Sequence, residues 1–138
     1  MINALNHINI KAPSALLERV RDFYCSVLGL QTGFRPAFQS HGYWLYAGDS
    51  CMIHLSELTE FIHNDSDAMA VVGTTLGTTT GYLNHVAFAC QDLSQSKAQL
   101  ELFGVSYTVK TVPETKQTQL FLIDPAGVGI ELNFSELA

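Results

Sequence analysis

Four residues in this sequence carry the chemistry of a metal site: His7, His54, His85 and Glu131. Three imidazoles and one carboxylate supply nitrogen and oxygen donors without thiolate, a set that suits Fe(II), Mn(II), Zn(II), Ni(II) or Co(II). The subset His7, His85 and Glu131 makes a two-histidine, one-carboxylate face with coordination positions left open, which catalysis requires. Gathered in one cavity without a cation, these groups would be costly, because a buried charge lacking a partner costs several kcal/mol.

Their spacing is ordered. Leu5-Asn6-His7 returns as Leu83-Asn84-His85, an offset of 78 residues, and each copy is followed by alternating apolar residues. The segments Tyr43 to Leu55 and Gln119 to Leu132 share a second pattern, an apolar strand, a tight turn and another apolar strand. In it His54 matches Glu131 at an offset of 77. Two matches at nearly one offset, each placing a titratable residue at an equivalent point, mark a duplicated module.

Each module is expected to read β, α, β, β, β. In the first, Leu5 to Ile10 is strand-like. Ser14 is the expected N-cap of a helix whose apolar stripe is Leu16, Leu17, Val20, Phe23, Tyr24, Val27 and Leu28, closed by Gly29. Strands are expected near Leu30 to Phe34, Tyr43 to Ala47 and Ser50 to Leu55, the last two joined through Gly48-Asp49. The second module repeats the plan with a strand from Leu83 to Ala89 and a helix from about Ser94 to Phe103, ended by Gly104. Strands then follow near Val105 to Val109, Gln119 to Ile123 and Val128 to Phe134, with Asp124-Pro125-Ala126-Gly127 as a turn. The boundaries are thus residues 1–58 for the first module, 59–82 for a linker or loop over the site, and 83–138 for the second, within one domain spanning 1–138.

Strand parity then aims the four residues. Side chains alternate faces, so His7 shares a face with Leu5 and Asn9, and His85 with Ala87 and Ala89. His54 stands against Cys51, Ile53 and Leu55, and Glu131 against Val128, Ile130 and Leu132. The apolar faces suit packing against the helices, which leaves the other sheet face for a cavity. The fold class expected is α+β, with mixed sheets forming a cup and helices outside.

Composition narrows the partners. The chain has 138 residues, 47% of them hydrophobic, enough for a real core, and a net charge of -6. Seven scattered basic residues argue against a nucleic-acid partner, whose phosphates demand clustered Lys and Arg. No apolar run approaches a membrane span, and Met1 to Ile10 lacks the pattern of a signal peptide, so a soluble, cytoplasmic protein is expected. Cys25, Cys51 and Cys90 are far apart and read as reduced core thiols.

Other residues supply secondary roles. Tyr46 and Tyr107 could donate a proton to a developing oxyanion, although most such residues simply pack. Arg35 and Lys110 are the basic residues near strand ends that could orient an anionic substrate. His41 could reach the cavity mouth, and Asn9 and Asn133 share the ligand-bearing faces, so Arg35, His41, Asn9 and Asn133 are the expected substrate contacts. His63 and His41 both fall in loops, where solvated surface is the default. Asp124 reads as a turn cap. Three roles stay open for His54: fourth ligand, a base held just behind the ligands, or a plain cavity residue.

Leu5-Asn6-His7-Ile8, Phe23-Tyr24-Cys25-Ser26-Val27-Leu28-Gly29-Leu30 and Asp124-Pro125-Ala126-Gly127-Val128-Gly129-Ile130-Glu131-Leu132 together resemble the vicinal-oxygen-chelate superfamily of glyoxalases, bleomycin-resistance proteins and extradiol dioxygenases. The resemblance covers almost the whole chain. It implies paired βαβββ modules, metal ligands on first and last strands, here His7, His54, His85 and Glu131, and a homodimer, since relatives complete their cups across a two-fold axis. It also implies a small-molecule substrate chelated through adjacent oxygens, with the metal as Lewis acid and template, in dioxygenase or in lyase and isomerase chemistry. Glu131 and His54 are then the expected proton-handling groups. His54 stands where the isomerases usually carry a carboxylate, and the turn after Pro125 departs from the family's common form. The competing expectation is a metal-free binding protein like the bleomycin-resistance branch.

Overall fold

A computed structural model describes residues 1–58 and 80–135. The expected loop from Thr59 to Tyr82 lies almost wholly outside the described residues. The chain divides into two compact units, Met1–Thr78 and Thr79–Ala138.

The first unit runs β1 (Ile8–Ala12), α1 (Ser14–Asp22), a π-helical turn (Phe23–Val27), β2 (Gln31–Gly33), β3 (Gly42–Ala47) and β4 (Ser50–Glu57). The sheet order is β1-β4-β3-β2. β1 lies parallel to β4, with Ile8 opposite Ile53, and β3 returns antiparallel beside β4. The helical stripe buries Leu17, Val20, Phe23, Tyr24 and Val27, and the sheet meets it with Ile10, Ala12, Leu45, Ile53 and Leu55. Each large apolar side chain removed from water in this way contributes about 1.5–3 kcal/mol.

The second unit repeats the order: β5 (Val86–Cys90), α2 (Leu93–Leu102), β6 (Thr108–Val112), β7 (Gln117–Ile123) and β8 (Gly129–Ser135), arranged β5-β8-β7-β6. Its core is Leu100 with Leu120, Leu122, Ile130, Leu132 and Phe134. The two sheets thus have one topology, and the α+β fold of paired βαβββ modules read from the repeat is present.

Several boundaries move, each for a local reason. The N-cap of α1 is Pro13, extended at φ -56 and ψ 152, and its carbonyl accepts from the Leu17 N–H, so Ser14 is the first helical residue and caps nothing. The end of the first helix widens, with the Leu28 N–H reaching back five residues to the Phe23 carbonyl. α2 is capped by Asp92, whose side chain accepts from the Gln95 N–H, and begins at Leu93, one residue earlier than expected. β1 and β5 begin at Ile8 and Val86, so His7 and His85 stand just before their strands, and Leu5 and Leu83 are exposed, not part of an inward face. β6 starts at Thr108 because the Val105 N–H is spent closing α2 on the Leu100 carbonyl.

Candidate metal and substrate site

In the first unit a ladder of three rings forms where the parallel pair β1–β4 meets β3. Trp44 and His54 are register partners, and their rings stack at 3.9 Å with planes 5° apart. The His7 ring lies on the His54 ring at 3.6 Å and 18°. Ile53 and Leu55 are fully buried on the opposite sheet face, so His54 faces away from α1, as parity requires. Asn9 stands beside His54 in register and accepts a hydrogen bond from Ser56 Oγ at 3.2 Å.

In the second unit the same register recurs with different chemistry. Glu131 replaces His54, flanked in register by Ala87 and by Phe121, which takes the place of Trp44 at the same offset of 77 residues. The His85 ring meets the Phe121 ring edge-on at 6.2 Å and 88°. Glu131 is only 8% exposed, between Ile130 and Leu132, and ion pairs among the described residues are confined to Glu18, Arg21, Asp22 and His41. Two residues along, Asn133 Oδ1 is buried and has no hydrogen-bond partner.

The asparagines of the repeat make a contact that its bare pattern did not disclose. Asn6 Oδ1 lies 2.6 Å from His7 Nδ1, and Asn84 Oδ1 lies 2.8 Å from His85 Nδ1. An amide oxygen only accepts, so each histidine donates through Nδ1–H and keeps the Nε2 lone pair. A ligating imidazole needs this tautomer, held by an outer partner. Gly129 makes a second unforeseen contribution: a Cβ there would lie 2.5 Å from the Asn84 carbonyl oxygen and 3.2 Å from the His85 Cβ. Only glycine lets β8 approach the Asn84-His85 segment this closely.

The donor chemistry fits a divalent cation: two tautomer-fixed imidazoles, a third imidazole kept neutral, and a buried carboxylate without an ion pair. Burial, then the His7 ring, then the Arg35 guanidinium hold the His54 pKa below the usual histidine range. The stacking sets a limit. The His7 and His54 rings lie 3.6 Å apart and 18° from parallel, so their lone pairs do not turn toward one point, and for both to serve as ligands the rings would have to splay. Among the described residues no group of three or more His, Cys, Asp or Glu gathers as a ready metal site; each unit supplies two of the four expected donors.

The remaining expected contacts fall in different places. Arg35 lies over Phe38, with Cζ 4.9 Å from the ring centroid, and donates from its Nη1 to the Ser40 carbonyl at 2.9 Å. Tyr46 donates to the Phe34 carbonyl at 2.6 Å, and burial, then the Cys51 thiol, keep its phenol protonated beyond its usual range. Tyr107 donates to Glu101 at 3.0 Å, the main cause of its raised pKa. His41 pairs with Glu18 of α1 at 3.0 Å and so sits with the helix. Lys110 is exposed on β6, opposite Gln119. Asp124 accepts from the Ala126 and Val128 N–H groups at 2.8 and 2.9 Å, holding the β7–β8 turn with Gly127 at φ +85.

No family model matches the sequence, and no curated protein matches it significantly. Solved structures do match across nearly the whole chain. A lactoylglutathione lyase from Agrobacterium tumefaciens is 19% identical with a TM-score of 0.67, covering 99% of this chain and 96% of that one. A glyoxylase/bleomycin resistance protein/dioxygenase domain from Frankia sp. is 14% identical with a TM-score of 0.68, covering 99% and 94%. A mutant fosfomycin resistance protein from Listeria monocytogenes, complexed with Mn(II) and a dihydroxypropylphosphonic acid, is 15% identical with a TM-score of 0.67, covering 99% and 95%. The chain has the vicinal-oxygen-chelate fold that the repeat and motifs resembled. Among the described residues no helix is long and apolar enough to cross a membrane.

Proposed function

We propose that the protein is a metal-dependent enzyme of vicinal-oxygen-chelate type, acting on a small molecule that binds a divalent cation through two adjacent oxygens. The two units form one domain, with residues 59–82 as the connection, and donors from both halves, within one chain or across a homodimer, complete the site. The observation that carries this reading is the duplicated construction: in each unit a histidine paired with its preceding asparagine comes just before the first strand, and the residue at the matching point of the last strand, His54 or Glu131, stands in register with an aromatic residue, Trp44 or Phe121. His7, His85 and Glu131 hold the ion, with His54 as fourth ligand or as the base next to them. The cation, Fe(II), Mn(II), Zn(II), Ni(II) or Co(II), supplies Lewis acidity to substrate oxygens.

This chain's own residues handle position and protons. His54, its pKa lowered by burial, accepts a proton at a free ring nitrogen, and Glu131 supplies the buried carboxylate beside the imidazole donors. Asn9 and Asn133 stand on the two ligand-bearing faces as substrate contacts, and His41 would join them only after leaving Glu18. Tyr46 and Tyr107 would act as proton donors only after giving up Phe34 and Glu101. The similarity to a Mn(II)-bound fosfomycin resistance protein supports metal use, and oxidative against non-oxidative chemistry is decided by oxygen uptake with catechol.

Metal analysis of protein purified without chelating resin tests the reading. About one equivalent per site, lost in Glu131→Ala, supports it. Less than roughly a tenth of an equivalent under several metal loadings sinks it. A metal-free drug-binding protein is the second reading, favoured by the parallel His7–His54 stack. Calorimetric ligand binding that survives strong chelators would establish it.

A further inference from the structure

The loop between β2 and β3 sets a cation without an ion-pair partner among the described residues beside the ring ladder. Arg35 donates twice to Ser40, from Nη1 to its carbonyl at 2.9 Å and from Nη2 to its Oγ at 3.4 Å. Its guanidinium lies along the strand at Gly42, where a Cβ would meet Nη2 at 2.9 Å. Gly42 and Trp44 share one face of β3, so the guanidinium stands on the side of the sheet that carries Trp44 and His54. The Nε–H is sealed from solvent and has no acceptor. Burial lowers its pKa, and no described carboxylate reaches it: among the described residues the cations of the ion pairs are Arg21 and His41.

A guanidinium stripped of part of its hydration, with one orphaned donor and no counter-ion among the described residues, is an expensive arrangement. The two Nη groups keep N–H bonds beyond those used on Ser40, which an anion can accept. On either side of Arg35 the loop exposes large apolar surface, with Phe34 76% and Phe38 53% accessible, and the Phe38 ring lies 6.2 Å from Trp44. A cation framed by exposed rings selects an aromatic body bearing a negative charge.

We propose that Arg35 is a specificity residue, and that the substrate of the site is an aromatic carboxylate whose anionic group sits on the Arg35 guanidinium between Phe34 and Phe38. The proposal rests on the chelating-enzyme reading for the adjacent oxygens of the substrate, and on the β2–β3 loop alone for its charge.

Calorimetric titration of the full-length Mn(II)-loaded protein with 3,4-dihydroxybenzoate and with catechol tests it, since the two differ only in the carboxylate. The carboxylated compound should bind at least tenfold more tightly. Arg35→Met should erase the difference with catechol affinity kept, and Arg35→Lys should retain part of it. Equal affinities in the wild type, or a preference that persists in Arg35→Met, overturn the proposal. Should Arg35→Met fold poorly, Arg35→Lys together with benzoate binding to the wild type decides it: benzoate must bind and must be displaced by 3,4-dihydroxybenzoate. Metal content of the same preparations separates the two readings. Protein that holds no metal yet prefers the carboxylate through Arg35 loses the chelating role and keeps this assignment; protein that holds metal without the preference does the reverse.

Discussion

Replacing Gly129 by alanine should damage the site more than the fold. The new Cβ would stand 2.5 Å from the Asn84 carbonyl oxygen, 3.2 Å from the His85 Cβ and 3.5 Å from its Cα. A carbon and a carbonyl oxygen approach ordinarily to about 3.3 Å. Two backbones must therefore separate by about 0.8 Å, because none of the nearest atoms is the end of a flexible side chain. Overpacking of this size costs about 1–3 kcal/mol, or roughly 3–10 °C in melting temperature for a chain of this length. The displacement falls on Asn84 and His85 themselves, one register step from the Val86–Ile130 pair, and it moves the histidine relative to Glu131 on β8. Disturbing the support of a ligand typically costs 10–100-fold in metal affinity. Gly127→Ala supplies the control. Its Cβ meets nothing within 4 Å, but φ is +85, so the cost is about 1–2 kcal/mol of backbone strain with no push on His85. Thermal melts matched with competitive metal titration against a chromophoric chelator should show both variants less stable and only Gly129→Ala impaired in metal binding. Equal metal affinity in the two variants would refute the reasoning.

Two further outcomes follow from the same geometry. Asn6→Ala and Asn84→Ala should each weaken metal binding about 10–100-fold while barely changing the melting temperature, because each removes only the acceptor that fixes a histidine tautomer; competitive chelator titration checks this, and unchanged affinity in both would deny them that role. In metal-free protein the His54 ring, followed by proton NMR, should titrate below the ordinary histidine value of about 6.5, and Arg35→Met should move it upward without restoring the ordinary value, since burial is the larger cause. The sign for stability follows: the unfolded chain takes this proton first, so the contribution of His54 is intact above the unfolded value and shrinks as pH falls through it toward the folded one. An ordinary or raised His54 titration would contradict the partial burial of its ring.

How much of this was legible in the residues depends on the length scale of the signal. The repeat exposed the topology, because a duplicated βαβββ plan copies its apolar alternation and its turns together, and alternation is enough to put His54 and Glu131 opposite Ile53 and Ile130. Strand starts were less visible. The Leu-Asn-His segments look like strand because they alternate, yet β1 and β5 begin at Ile8 and Val86, where each finds its parallel partner, and pairing is a property of two segments. The aromatic floor of the site was present in the sequence and unread: Trp44 and Phe121 stand ten residues before His54 and Glu131 in their copies, so extending the comparison from titratable to aromatic residues would have found them. The Ser14 cap failed because a serine before an apolar run is a helix signal only if the preceding residue cannot serve, and Pro13, fixed in an extended conformation, takes that place. What no spacing rule carries is the orientation of the rings. Parity puts His54 and Trp44 on one face, but face-to-face stacking with His7 depends on how far each imidazole turns about its own bonds, which is settled only when Asn6 holds the first ring and the indole covers the second. The stack therefore alters the chemistry more than any boundary does: while it persists, the nearly parallel His7 and His54 rings do not turn their lone pairs toward one point, which favours His54 as the base of the proposed site over a fourth ligand.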